Sequence, residues 1–303
     1  MNYPGEQSRA TKVTASGTSY IELTIYPDGV TDTLLICLPD DATDVLVICA
    51  HGHNGNQATI NSSRMIETRD RFIDNGWIVA SPFAHGNSWG NDVCIADYVR
   101  VHAWSTLNLS TTKTLLHGQS MGGLNLVNVL SRNAIPDVLA FVSIDGALNL
   151  ATAFAAAAYK SAIRAAYGIA ADGSDYATLT AGHDGVLLPP SSFDGTRILL
   201  EASPADTSIS KTNNADLFYA NVAGHPLVFQ RLTGAGVHVD PGNYFPDEVE
   251  AFFIAALQPA PEPIDGTYSP ALDMFLNDGR KVYAFVPRDG VWVPVESHVF
   301  RSE

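Results

Sequence analysis

The chain has 303 residues, enough for one large α/β unit with an appendage and a sizeable core. With 46% hydrophobic and 16% charged residues its composition is globular, and no apolar run reaches membrane-spanning length, which excludes wholesale disorder and a spanning helix. A formal net charge of −15 repels phosphate backbones and anionic lipid, so nucleic acid is not an expected partner.

Residues 1–14 are polar and lack the apolar core of a secretory signal, so the expected setting is cytoplasmic or, on the evidence of the tail below, virion-associated. Tyr20 to Tyr26 and Thr33 to Leu38 read as two strands joined around Pro27-Asp28-Gly29, an opening hairpin. Val45 to Ala50 is a continuous apolar run of the kind a doubly covered parallel strand shows, and it ends at His51-Gly52-His53-Asn54-Gly55. Met65, Phe72 and Ile73 mark an amphipathic helix stopping at Asn75-Gly76, and Trp77 to Ser81 is the next buried strand. After a Gly/Asn/Ser-rich loop, Val93 to Leu107 reads as a helix. Cys37, Cys49 and Cys94 lack metal spacing and read as buried free thiols, with a Cys37–Cys49 disulfide as the alternative.

The centre of the chain is Gly118-Gln119-Ser120-Met121-Gly122. A short apolar run from Thr114 to Leu116 precedes it, and Leu124, Val127 and Leu130 follow at helical spacing, so the motif falls on a strand-to-helix turn. On such a turn the serine takes a strained backbone conformation and its glycine neighbours avoid the collision a Cβ would cause. The hydroxyl of Ser120 then stands free at the sheet edge, beside helix N-terminal amides that favour negative charge.

Val138 to Ile144 is another strand, ending at Asp145-Gly146. The rhythm breaks over residues 148–192, where an alanine-rich helical stretch through Ala166 precedes an irregular part; this insertion reads either as a lid over the site or as a connecting helix and loop. Arg197 to Ala202 and Leu227 to Leu232 are the last central strands, with a helix carrying Leu217, Phe218 and Val222, capped by Asn214, between them. Pro246 opens a helix whose Val249, Phe252, Phe253, Ala256 and Leu257 form one apolar stripe. Short apolar strands separated by helices imply a mostly parallel sheet covered on both faces. Residues 1–258 therefore form one α/β domain, and the Pro-rich stretch from Gln258 to Pro263 leads into 259–303, where Asn277-Asp278-Gly279 and Arg288-Asp289-Gly290 separate short runs in the manner of a small β-meander. So few strands must pack on something else, which makes the tail an expected point of self-association or assembly.

A serine hydroxyl is a weak nucleophile at neutral pH and needs a base within reach, held by a carboxylate. His238 follows the last central strand in Gly234-Ala235-Gly236-Val237-His238, and Asp206 follows the preceding strand in Ser203-Pro204-Ala205-Asp206. Asp145 also ends a strand and is the alternative acid. His51 and His117 flank the loops as packed neighbours; His85, His102, His183, His225 and His298 carry no motif, and no histidine pair has zinc-site spacing with a nearby carboxylate, the nearest, His51-x-His53, being accounted for by the His-Gly loop.

The elbow, the His-Gly loop and the order Ser120, Asp206, His238 resemble the α/β-hydrolase superfamily over residues 18–257. The resemblance implies a serine hydrolase without a cofactor, acting on a carboxylic ester of a small molecule, glycan or lipid, with Ser120 as nucleophile, His238 as base and Asp206 as orienting acid. It also implies an oxyanion hole from the backbone amides of Met121 and His53, each worth roughly a hundredfold to a thousandfold. A peptidase, thioesterase or acyltransferase could use the same residues, and a non-catalytic module that kept the fold is the reading from another class. The tail sequence Arg288-Asp289-Gly290-Val291-Trp292-Val293-Pro294 resembles short β-units of actinobacterial phage tail proteins, which would make the enzyme one that trims acyl esters from a host surface.

Overall fold

The structure is a computed structural model that describes residues 2–27, 32–258, 283–288 and 291–296. It divides after Leu257 into two units. In the first, β1 (Glu6–Val13), β2 (Ser19–Ile25), β3 (Leu34–Pro39), β4 (Val45–Ala50), α1 (Ile66–Asp74), β5 (Ile78–Pro82), α2 (Asp92–Leu109), β6 (Lys113–Gln119), α3 (Met121–Ser131) and β7 (Val138–Ile144) follow in order. Then come α4 (Leu150–Ala155), α5 (Ala157–Tyr167), α6 (Tyr176–Leu179), β8 (Arg197–Ala202), α7 (Leu217–Val222), β9 (Val228–Thr233) and α8 (Pro246–Leu257). One nine-stranded sheet runs β1-β2-β3-β5-β4-β6-β7-β8-β9. Its first three strands and the β3–β5 pair are antiparallel, and every pair from β5 to β9 is parallel.

β4 shows why both faces are covered. All six of its residues are buried. Val45, Val47 and Cys49 enter a core with Phe72 and Ile73 of α1 and Val249 and Phe253 of α8, while Leu46, Ile48 and Ala50 enter another with Tyr98 of α2, Val127 of α3 and Phe218 of α7. A strand's period of two thus supplies two cores at once, and the unbroken apolar run follows from that. Cys37, Cys49 and Cys94 are all free and buried, and β5 lies between the strands of Cys37 and Cys49. Burial pushes all three thiols up, those of Cys37 and Cys94 to about 12, so they stay protonated and inert.

Three local readings differ from the structure. β1 lies in the polar stretch of residues 1–14, to which the sequence assigns no element; it is an edge strand, exposed over nearly its whole length, so no apolar alternation marks it, and its ladder to β2 holds it. The alanine-rich stretch is two helices broken at Ala156, which is extended with ψ 127°. Asn214 does not cap α7: it is buried, its side-chain oxygen accepts from the Asn149 amide at 2.8 Å and its nitrogen donates to Ser210 O at 3.0 Å, so it ties the loop after β8 to the start of α4.

In the second unit, β10 (Tyr283–Arg288) and β11 (Val291–Glu296) pair antiparallel, with Arg288 opposite Val291. The turn Asn277-Asp278-Gly279 and any third strand of a meander lie outside the described residues, as does most of the turn Pro27-Asp28-Gly29. Among the described residues no helix is long and apolar enough to cross a membrane.

Candidate active site

Register brings the functional loops to one rim. Ala50 of β4 stands beside Gly118 of β6, Gln119 of β6 beside Ile144 of β7, and Ile144 beside Glu201 of β8. Parallel neighbours ending level release their next residues, His51, Ser120, Asp145 and Ser203, along the same sheet edge, and Ala202 beside Thr233 of β9 adds the loop that carries His238. Sites in open α/β sheets form at this carboxyl edge because successive loops converge there.

Ser120 occupies the elbow with φ 52° and ψ −123°, a conformation costly to a residue with a Cβ. Its amide donates to Ile144 O at 2.9 Å, and its carbonyl accepts from Gly123 and Ala147 at 3.0 and 2.9 Å, so the strained residue is held from three directions. The glycines are required by contact as much as by conformation. A Cβ on Gly122 would lie 2.4 Å from Ala50 O, one on Gly118 2.6 Å from Gly122 O, and one on Gly123 2.6 Å from Ser143 Oγ.

Ser120 is 6% exposed; its hydroxyl lies 2.9 Å from His238 Nε2, and His238 Nδ1 lies 2.6 Å from Asp206 Oδ2. Asp206 is 5% exposed, and its other oxygen accepts from the Ser208 and Ile209 amides at 2.8 and 2.9 Å, which leaves it acceptor-only. A buried carboxylate on Nδ1 requires the proton there, so Nε2 presents its lone pair to the serine hydroxyl. Alcohol, imidazole and carboxylate form one chain of hydrogen bonds.

The His-Gly loop packs directly on the serine: a Cβ on Gly52 would sit 3.2 Å from Ser120 Cβ and 3.7 Å from its Oγ. The Met121 amide opens α3, the His53 amide follows Gly52, and neither donates to another described residue. The His53 ring packs against Trp89 and Tyr159 at centroid distances of 5.5 and 5.3 Å, and burial pulls its pKa down. It is therefore a neutral wall.

No family model and no curated protein sequence matches the chain. Solved structures do. A prolyl endopeptidase superposes on 84% of this chain at a TM-score of 0.60 and 14% identity, the chain spanning 39% of that protein's length. An S-formylglutathione hydrolase from Agrobacterium tumefaciens matches 83% of the chain and 97% of its own length, with TM-score 0.61 and 13% identity. An esterase of Pyrococcus furiosus matches 82% and 91%, with TM-score 0.55 and 15% identity. The chain has the α/β-hydrolase fold. The comparisons give the phage-tail likeness of Arg288 to Pro294 no support.

Within this α/β-hydrolase frame Asp145 lies close to Asp206 and His238 but is committed elsewhere. It is 2% exposed; Oδ1 accepts from the Ser203 amide at 3.2 Å, and Oδ2 accepts from the Val239 amide at 2.7 Å and Asn243 Nδ2 at 3.0 Å. Asp145 thus binds together the loop that carries Asp206 and the loop that carries His238. Behind it stands Glu201, 1% exposed, whose Oε2 accepts from the Asp145 amide at 3.1 Å. Burial first, and then the Asp145 charge, push Glu201 up to about 9, so it is a neutral acid at pH 7. A carboxyl that is easier to ionise when unfolded loses its stabilising contribution as pH rises from its ordinary value towards its folded one. Glu201→Gln, which keeps the shape without the ionisation, is expected to melt progressively above the wild type between about pH 5 and pH 9. Thermal denaturation across that range checks this; parallel curves would refute it.

Of the remaining histidines His51, His117 and His183 are buried, His85 and His225 are exposed, and His298 lies outside the described residues. His117 is fully buried, with burial pulling it down to about 4, and His51 lies between two carbonyls, Gly52 O and Phe83 O, both at 2.8 Å. His183 and His225 pair with Asp92 and Asp194 at 3.0 and 2.7 Å. His85 sits with Asp32 and Asp97, but Arg100 already supplies Asp97 with a cation at 2.6 Å.

A cavity of about 420 Å³ opens over Ser120. Sequence reasoning had singled out His53, Ser120 and His238 among its lining but not Tyr159, Arg64 or Gln119. Tyr159 comes from α5, which packs with α4 through Leu150, Ala153 and Ile163 onto Trp89 and Met121. A tyrosine in an alanine-rich helix that also carries Tyr167 was the only trace of it in the sequence.

Proposed function

We propose that the protein is a serine hydrolase that cleaves a carboxylic ester through an acyl-enzyme. The observation that carries the reading is the unbroken chain from Asp206 through His238 to Ser120, on an elbow whose next amide is unpaired within the described residues. Ser120 Oγ attacks the ester carbonyl carbon while His238 Nε2 takes its proton, and the new oxyanion accepts from the Met121 and His53 amides. Collapse breaks the carbon–oxygen bond to the leaving alcohol, which receives the proton from the imidazolium. A water molecule then attacks the acyl carbon, gives its proton to Nε2, and the acid departs as that proton returns to Oγ. Asp206 stays ionised throughout and stabilises the imidazolium.

The fold neighbours include an esterase, a thioester-type hydrolase by its printed name and a peptidase, so the ester preference rests on chemistry rather than on them. An activated hydroxyl with two oxyanion donors meets a lower barrier at an ester than at an amide, whose nitrogen is a poorer leaving group and must be protonated before it departs.

A fluorophosphonate tests the reading. Ser120 Oγ displaces fluoride from phosphorus, so intact mass is expected to rise by one phosphonyl group, mapped to the Ser120 peptide and missing in Ser120→Ala. No adduct at Ser120 would leave a hydrolase-fold binding module as the better description.

A further inference from the structure

We infer that the cavity over Ser120 takes an ester bearing an anionic substituent, a carboxylate or a phosphate, which pairs with Arg64. The inference deepens the serine-hydrolase reading and rests on it.

Charge is distributed over this chain in a telling way. Asp and Glu number 32 against 17 Lys and Arg, yet no residue lining the cavity is acidic, and Arg64 is the one Lys or Arg among its described lining. Arg69, Arg71, Arg132 and Arg231 are each paired with a carboxylate, at Asp70, Asp247, Asp92 and Asp216. Among the described residues Arg64 has no such partner; Arg164, which donates to the carbonyls of Ile169 and Ala170, and Arg197 have none either, but they do not line this cavity. In a chain with acids to spare, an arginine left unpaired in a concave surface is available to a ligand.

Arg64 is also placed. Its side chain reaches the Tyr244 hydroxyl, which in turn donates to Gln119 Oε1, and Gln119 is the residue before Ser120. Tyr244 is 1% exposed, whereas Arg64 itself is exposed at the mouth of the cavity. Around it the lining offers uncharged polar groups, Asn54, Thr59 and Ser62, rather than a second charge of either sign. A guanidinium presents several donors in one rigid plane and matches the paired oxygens of a carboxylate or phosphate. The chain's overall negative charge repels anions at long range, and a local cation inside the mouth reverses that for a substrate already docked. Such charge-assisted pairing is worth about tenfold to a hundredfold in kcat/KM.

Matched substrates test it. 4-Acetoxybenzoate and its methyl ester, 4-acetoxyphenyl phosphate and 4-acetoxyphenyl methyl ether place carboxylate, phosphate or neither on the leaving side; 4-nitrophenyl hemiglutarate and 4-nitrophenyl pentanoate do so on the acyl side. At least one anionic member is expected to exceed its neutral counterpart about tenfold or more in kcat/KM, and the responding arm identifies the group and the side. Arg64→Gln is expected to bring that ratio to near one, and Arg64→Lys to keep part of it. Ratios at or below one in every arm, or a ratio unmoved by Arg64→Gln, would overturn the inference. Calorimetric titration of 4-hydroxybenzoate, phenyl phosphate and glutarate into the full-length protein needs no turnover. If no ester is hydrolysed but Arg64-dependent anion binding persists, the hydrolase reading fails and the anion site stands; if esters are hydrolysed with neither preference nor anion binding, only the anion site fails.

Discussion

Ser120→Ala is expected to lower kcat on a short activated ester such as 4-nitrophenyl acetate by about a millionfold. The size follows from what the variant removes and what it leaves. The Oγ is the atom that forms the acyl bond, and it is the one hydroxyl hydrogen-bonded to His238 Nε2 among the described residues, at 2.9 Å. Without it the imidazole still stands on Asp206, and the proposed oxyanion donors, the amides of Met121 and His53, are left in place. A water could be activated there, but it would not be held in line with the carbonyl as the elbow holds Oγ. The remaining rate should therefore exceed the uncatalysed one by roughly a thousandfold to ten-thousandfold, supplied by the oxyanion donors and binding. Because alanine also carries a Cβ, the strained φ of 52° is kept, and the fold should be undisturbed. Initial-rate kinetics measures the ratio. A loss under about a hundredfold would mean that ester turnover proceeds elsewhere, and the hydrolase reading would fall.

Much of this site could be read from the chain because its parts are local. The elbow needs glycine at fixed offsets from the serine, and the contacts of Gly118, Gly122 and Gly123 show a backbone too close for any other residue. Strand ends are also local, since an apolar run that stops at a Gly, Asn or Asp announces its own edge; that is how Ser120, Asp145, Asp206 and His238 came into view. Choosing between the two acids is a different problem. Asp145 and Asp206 both follow strands, and what separates them is which backbone amides reach them, a matter of tertiary path that spacing does not encode. β1 was hidden because an exposed edge strand carries no apolar alternation, and its order comes from its partner's ladder. The role of Asn214 was misread because a local capping rule cannot see Asn149, 65 positions away. Arg64 and Tyr159 belong to segments with no motif, and only the closing of α5 and the loop after the His-Gly turn around one cavity gives them a part.

The separation of the two acids is itself measurable. Asp206→Asn is expected to lower kcat about ten-thousandfold with the fold intact. An amide in place of the carboxylate can present its NH2 or its oxygen to His238 Nδ1. It cannot hold a proton on Nδ1 and at the same time stabilise the imidazolium that forms when Nε2 takes the serine proton. Loss of that charge falls on the transition state, so kcat and kcat/KM should drop together. Asp145→Asn acts on different atoms. Its oxygens receive three N–H donors, from Ser203, Val239 and Asn243, and an amide that turns its own NH2 towards any of them leaves a buried donor facing a donor. That penalty, about 1–3 kcal/mol, falls on the folded state and on the path of the His238 loop, so melting temperature should fall clearly while kcat falls far less than in Asp206→Asn. The two variants compared in one denaturation series and one kinetic series assign the roles. If Asp145→Asn were the more damaging to kcat while Asp206→Asn mainly lowered stability, the acid that serves His238 during turnover would be Asp145, reached by a rearrangement of the loop that begins at Gly234. The 2.6 Å contact between His238 and Asp206 Oδ2, with two amides of its own loop held by Asp206 Oδ1, argues for the first outcome.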